Sequence, residues 1–141
     1  MKILVAVDGS PSSLRATEFA AQLAAALRSK SKITLVSVHD DTGFKHIKKF
    51  TPKGTLEDYL RELSDKDLSE ARKLLDKAEV AHDMIIKTGH VAEEIMRAAK
   101  VGKFDLIVLG AKGRTGFGDL LLGSVSQRVA SASKLPVTLI K

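Results

Sequence analysis

What most constrains this chain is an alternation repeated along it: short apolar runs, each followed by a segment whose apolar residues recur at helical spacing. The runs are Lys2–Val7, Ile33–Val38, Asp83–Lys87, Asp105–Leu109 and Val137–Ile140. A strand with one wet face alternates apolar and polar residues, so runs as continuous as Lys2–Val7 and Ile33–Val38 call for cover on both faces. Between the runs, Ala16, Phe19, Ala20, Leu23 and Leu27 share one face of a helix. Leu56, Tyr59, Leu60, Leu63, Ala71, Leu74, Leu75 and Ala78 share one face of a longer helix. Val91–Lys100 and a segment starting near Val125 supply two more. Strand and helix in regular turn predict an α/β fold of three layers, a five-stranded parallel sheet with right-handed crossovers and helices on both faces.

The punctuation between elements agrees. Asp8-Gly9-Ser10-Pro11 stops the first strand and starts a helix, with Ser10 as its cap and Pro11 at its first position. Thr55-x-x-Asp58 has the form of a capping box at the start of the long helix. Thr42–Gly54, which holds Lys45, Lys48, Lys49, Lys53, Pro52 and two glycines, reads as a mobile loop. A chain of 141 residues that is 44% hydrophobic predicts one domain, 1–141, around one substantial core. The absence of cysteine excludes disulfides, thiolate metal sites and cysteine nucleophiles. Met1–Asp8 has neither the apolar length nor the cleavage site of a signal peptide, and no apolar run reaches membrane-spanning length, so a cytoplasmic location is expected. The formal charge of +6 attracts polyanions without choosing among them, and an aromatic content of 4% argues against the stacking platforms of single-strand nucleic-acid binders.

Parallel α/β sheets bind ligands beyond the carboxyl ends of their strands, where strand order reverses, which directs attention to the loops after Val7, Val38 and Leu109. The last of these begins Gly110-Ala111-Lys112-Gly113-Arg114-Thr115-Gly116 and ends Gly123-Ser124-Val125-Ser126, a spacing of GxxGx9GS. Without a Cβ, Gly110 and Gly113 permit positive φ and let an anion approach the backbone amides, and Gly123 leaves a helix end open. At that end Ser124 is placed to cap together with Gln127, while the free amides of Val125 and Ser126 and the helix dipole favour a phosphate. The same residues also suit a plain flexible connection ending in an ordinary cap, with Asp8 capping the first helix and Lys112 and Arg114 as solvated loop charges. Neither standard nucleotide fingerprint is present: there is no GxxxxGK[ST], and Gly116-Phe117-Gly118 is followed by Leu121 where a third glycine would stand.

Taken together, GxxGx9GS, Val5-Ala6-Val7-Asp8-Gly9-Ser10, Val36-Ser37-Val38-His39 and the ending Leu135-Pro136-Val137-Thr138-Leu139-Ile140 resemble the universal stress protein family in its ATP-binding subset, over Lys2 to Lys141. The resemblance implies a strand order 3-2-1-4-5, in the manner of the adenine nucleotide alpha hydrolases. It implies that Asp8 and the backbone near Ala6 and Val38 contact adenine and ribose. Gly110, Gly113, Arg114, Gly123, Ser124, Val125 and Ser126 would surround the phosphates, with Ala111, Lys112, Thr115 and Gly116 in the same binding segment. ATP is the implied ligand, with AMP or ADP as variants, and Mg or Mn would be bound through the phosphates. A homodimer through the strand Val137–Ile140 and a regulatory protein partner are also implied.

Catalytic machinery is not evident. His39, His46, His82 and His90 form no HExxH pattern, no GxSxG elbow exists, and Glu93 and Glu94 occupy adjacent helical positions that point apart. No catalytic residue and no protein metal site are expected, and turnover of bound ATP would be slow because phosphoryl transfer depends on positioned groups. The expected role is a nucleotide-dependent sensor or regulator in the stress response. One rival is a weak ATPase or self-phosphorylating protein with Ser124 or Ser126 as acceptor; another is a nucleotide-free dimeric interaction protein. Nucleic acid and membrane are not expected partners, since a polyanion reading rests on the net charge alone.

Overall fold

The computed structural model describes residues 1–27, 30–42, 52, 54–114 and 122–141. In chain order the elements are β1 (Lys2–Ala6), α1 (Pro11–Ala26), β2 (Lys32–His39), α2 (Thr55–Lys77), β3 (His82–Thr88), α3 (Val91–Val101), β4 (Leu106–Gly110), α4 (Ser124–Ala132) and β5 (Val137–Ile140). The five strands form one parallel sheet in the order β3-β2-β1-β4-β5, the order implied by the family resemblance.

Pleating sorts the core. Ile3, Val5 and Val7 project to one side of β1, where they meet Ala16, Ala20 and Ala21 of α1 and Leu68, Ala71 and Leu75 of α2. Leu4 projects to the other side, into a second core with Val36, Ile107 and Leu109 from the sheet, Ala92, Ile95 and Ala99 from α3, and Val129 from α4. The first half of the chain therefore supplies one helical layer and the second half the other. Between β3 and β4 the chain changes direction across the sheet, which leaves β1 and β4 as neighbours whose following loops diverge to opposite faces.

The element starts differ from the sequence reading in two places. α2 begins at Thr55 itself, with Gly54 as the capping residue at φ 98° and no side-chain capping bond, so Thr55 and Asp58 do not form a capping box. α4 likewise begins at Ser124, with Gly123 in the cap position and no side-chain bond to the helix end. In both cases glycine has taken the flanking position, and the hydroxyl residue lies one place too far into the helix to cap it. α1 behaves as expected: the Ser10 hydroxyl accepts a bond from the Ser13 amide at 3.2 Å, and Pro11 is its first residue. The lysines of the Thr42–Gly54 stretch lie outside the described residues.

The buried stripe of α2, Leu60, Ser64, Leu68, Ala71 and Leu75, follows the helical period and fastens the helix to β1 and β2. Leu68 is 0% exposed. Its truncation to alanine is expected to cost about 2 to 5 kcal/mol of unfolding free energy, measured by urea denaturation.

Candidate functional site

A cavity of about 700 Å³ opens at the carboxyl ends of β1, β2 and β4, where the strand order reverses. One wall is apolar, made by Ala6, Val36, Val38 and Leu109 from the strands and Val91 and Ile95 from α3. The other is polar: Asp8, His39, Asp40, Asp67, Lys112 and Arg114 line it, and it runs to the start of α4 at Gly123, Ser124, Val125 and Ser126. A compact ligand with a flat apolar end and an anionic end matches both walls.

The loop after β1 is shaped by Asp8. Its Oδ1 accepts the Ser10 amide at 2.9 Å, which fixes the turn into α1, so the carboxylate does serve a turn-capping role. The second oxygen, Oδ2, faces Gly113, where a Cβ would stand only 3.0 Å away. Asp8 thus joins the first loop of the site to the glycine segment. Gly9, at φ 78°, passes beside Asp67 so closely that a Cβ would lie 2.9 Å from Oδ1 of that residue.

The glycine segment is pinned at both ends. The Ala111 amide donates to the Ile140 carbonyl at 2.6 Å, and the Gly123 amide donates to the Ala111 carbonyl at 2.7 Å, so the two ends of the segment meet. Gly110 and Gly113 are not among the positive-φ residues, contrary to the sequence expectation. What excludes a side chain at Gly110 is proximity, because a Cβ there would stand 2.5 Å from the Ser12 hydroxyl. The Ser126 hydroxyl, 3% exposed as a residue, donates to the Gly110 carbonyl at 2.7 Å and ties α4 to the end of β4. The first intrahelical bond of α4 runs from the Gln127 amide to the Gly123 carbonyl, so the amides of Ser124, Val125 and Ser126 precede the hydrogen-bonded ladder at the positive end of the helix.

Of the residues singled out in the sequence, Ala6, Asp8, Val38, Gly110, Lys112, Gly113, Arg114, Gly123, Ser124, Val125 and Ser126 all line this cavity. Ala111 is buried beside it and acts through its backbone bonds. Thr115 and Gly116 lie outside the described residues. His82 and His90 belong elsewhere: His82 Nδ1 sits 2.9 Å from the Val80 carbonyl, and His90 occupies the cap position of α3 without a side-chain bond to it.

A charged cluster at the cavity was not foreseen. The Arg114 side chain donates through Nε to the Asp8 carbonyl and pairs through Nη2 with Oδ2 of Asp67. The same carboxylate oxygen lies 3.5 Å from His39 Nε2, too far for a well-made hydrogen bond, which leaves that buried nitrogen without one. Burial pushes the Asp67 carboxyl above its ordinary 3.8, against the opposing pull of Arg114 and His39. Burial also lowers His39 from its ordinary 6.5, with Asp67 opposing and Arg114 assisting. The one sequence signal for Asp67 was an acidic residue inside the otherwise apolar and small stripe of α2, three residues after Ser64 and four before Ala71.

Among the described residues no three His, Cys, Asp or Glu side chains converge as a metal site, and no helix is long and apolar enough to cross a membrane.

The family model described as "Universal stress protein family" matches residues 1–141. Universal stress protein YxiE of Bacillus subtilis is 29% identical over 153 residues, covering 99% of this chain and 98% of that protein. The solved structure of MJ0577, which is named a universal stress protein of Methanocaldococcus jannaschii, superposes with a TM-score of 0.86 at 27% identity, covering 99% of this chain and 94% of that one. A universal stress protein solved in complex with cAMP superposes with a TM-score of 0.76 at 27% identity, covering 100% and 97% of the two chains.

Because the folded-state pKa of His39 lies below 6.5, the unfolded chain takes up that proton first as pH falls, and stability is lost from about pH 6.5 downward. Asp67, raised above 3.8, acts in the opposite direction as pH falls toward 3.8. Urea denaturation between pH 7.5 and 5.5 is expected to show a decline for the wild type and a flatter profile for His39→Asn.

Proposed function

The chain belongs to the universal stress protein family, and from that premise we propose that it forms one domain, 1–141, which binds ATP and acts as a nucleotide-dependent sensor or regulator in the stress response. The observation that carries this reading is the two-walled cavity at the reversal of strand order. The apolar wall of Ala6, Val36, Val38 and Ile95 suits an adenine ring, which gains by leaving water and needs few polar partners. Asp8, in the polar wall, is a carboxylate that suits the hydroxyls of a ribose. The amides at the start of α4, together with Lys112 and Arg114, suit the phosphates, and Gly110, Gly113 and Gly123 keep that approach clear of side chains. The cAMP-bound family member supports an adenine nucleotide as the ligand class. A magnesium or manganese ion would be held by the phosphates themselves, in the usual manner of nucleotide-bound magnesium.

The binding reading is favoured over self-phosphorylation at Ser126. A phosphoryl acceptor needs an accessible hydroxyl oriented at the terminal phosphate, whereas the Ser126 hydroxyl is buried and donates to the Gly110 carbonyl. Ser124 is exposed and remains the acceptor that prolonged incubation with labelled ATP would test.

We propose further that the protein is a homodimer through β5. Among the described residues this strand closes one edge of the sheet and pairs only with β4, and such an edge with half-buried Val137, Leu139 and Ile140 is suited to joining a second copy across a two-fold axis. Sedimentation equilibrium at micromolar concentration is expected to give twice the 15.2 kDa chain mass, and a monomer would sink the dimer.

Gly123 supplies the direct test of the site. Its backbone, at φ −73° and ψ 161°, is open to any residue, and among the described residues a Cβ there would meet nothing nearer than 3.4 Å. Gly123→Val should therefore fold normally while its methyl groups occupy the path to the α4 amides. Calorimetric titration with ATP and magnesium is expected to show binding by the wild type, and affinity at least about tenfold weaker in the variant. No binding of any adenine nucleotide by the wild type at millimolar concentration would refute the ATP reading.

A further inference from the structure

We propose that Asp67, on α2, is a positioning residue for phosphate recognition: it holds one edge of the Arg114 guanidinium so that the other edge is presented to the ligand. The proposal rests on the reading of this cavity as a nucleotide site. A guanidinium is a planar fork of five N–H donors whose two accessible edges can each make a paired contact. Arg114 commits one edge to the protein. Its Nε donates to the Asp8 carbonyl and its Nη2 pairs with Asp67, and these two nitrogens lie side by side along the same edge. Nη1, on the opposite edge, makes no bond to any described residue, and Arg114 lines the cavity together with Gly123 and Ser124.

The anchor is largely buried, whereas the Arg114 side chain is half exposed. An arginine side chain in solution has many rotamers, and fixing them costs free energy on every binding event unless the folded protein has already done so. The Asp67 side chain is only 11% exposed, lies against Gly9 on one side and has His39 Nε2 at 3.5 Å on another. A carboxylate so placed retains its partner, because removing the arginine would strand a buried charge. A different role, in which Asp67 competes with the ligand for Arg114, predicts the opposite sign of effect, since an unbridged carboxylate in the cavity repels a phosphate.

Calorimetric titrations with ATP and magnesium, and with adenosine, on wild type, Asp67→Asn, Arg114→Gln and the double variant decide between these roles. If Asp67 acts through Arg114, each single variant weakens ATP binding by about tenfold, the double variant is no weaker than Arg114→Gln, and adenosine affinity stays within about twofold throughout. ATP binding by Asp67→Asn that equals or exceeds the wild type, or penalties that add in the double variant, would overturn the proposal while leaving the nucleotide site standing. Wild-type protein that binds neither ATP nor adenosine would overturn the site reading and this proposal with it. Should Asp67→Asn prove unstable, the ligand-free wild type gives the answer by NMR. Slowly exchanging Nη2–H signals, identified by their loss in Arg114→Gln, are expected for a guanidinium held at Asp67, and their absence overturns the proposal.

Discussion

The pairing of β1 with β4 is the contact on which the rest of the molecule depends. It sets Ala6 against Leu109 in register and so brings two loops about a hundred residues apart in the chain to one end of the sheet. Because the crossovers on either side of this pair run to opposite faces, the loops part and leave a cleft between them. Several contacts of the cavity depend on that juxtaposition. Asp8 faces Gly113, Arg114 reaches the Asp8 carbonyl, and Gly110 passes within contact of Ser12.

The backbone bonds around the cleft convert proximity into a fixed frame. Ile140 at the end of β5 accepts from the Ala111 amide and also from the Ser12 hydroxyl, at 3.1 Å, so a single carbonyl gathers α1, β5 and the glycine segment. Ser126 closes the frame from the α4 side. A helix start held this firmly presents its amides in one orientation, unlike a fraying helix end. The charged residues around it are arranged in a chain, His39 beside Asp67 and Asp67 against Arg114.

Much of this was legible in the sequence. The continuous apolar character of Lys2–Val7 and Ile33–Val38 required cover on both faces, and the alternation with helices left a parallel sheet as the consistent solution. The GxxGx9GS spacing pointed to a loop that borders the cavity, and most of the residues chosen from it line that cavity. The misreadings share one physical cause. Hydroxyl residues were assigned as caps at Thr55 and Ser124 although glycines preceded them, and Gly110 was credited with a special backbone angle when its requirement is the nearness of Ser12. Whether a glycine serves conformation or close approach depends on what lies across from it, and that residue is distant in the chain.

The sequence by itself determined the class of fold and the order of its elements, and it drew attention to the glycine segment that borders the cavity, because periodicity, chain punctuation and glycine spacing are local properties. Only the tertiary structure brought Asp67 to the cavity. Nothing in the spacing of α2 relates that residue to Arg114 or His39, and its acidic character in an inward stripe had no meaning until the helix was laid across β1 and β2. The electrostatics of the site followed from the same packing, since burial among neighbours raises Asp67 and lowers His39, and burial is a property of the assembled layers.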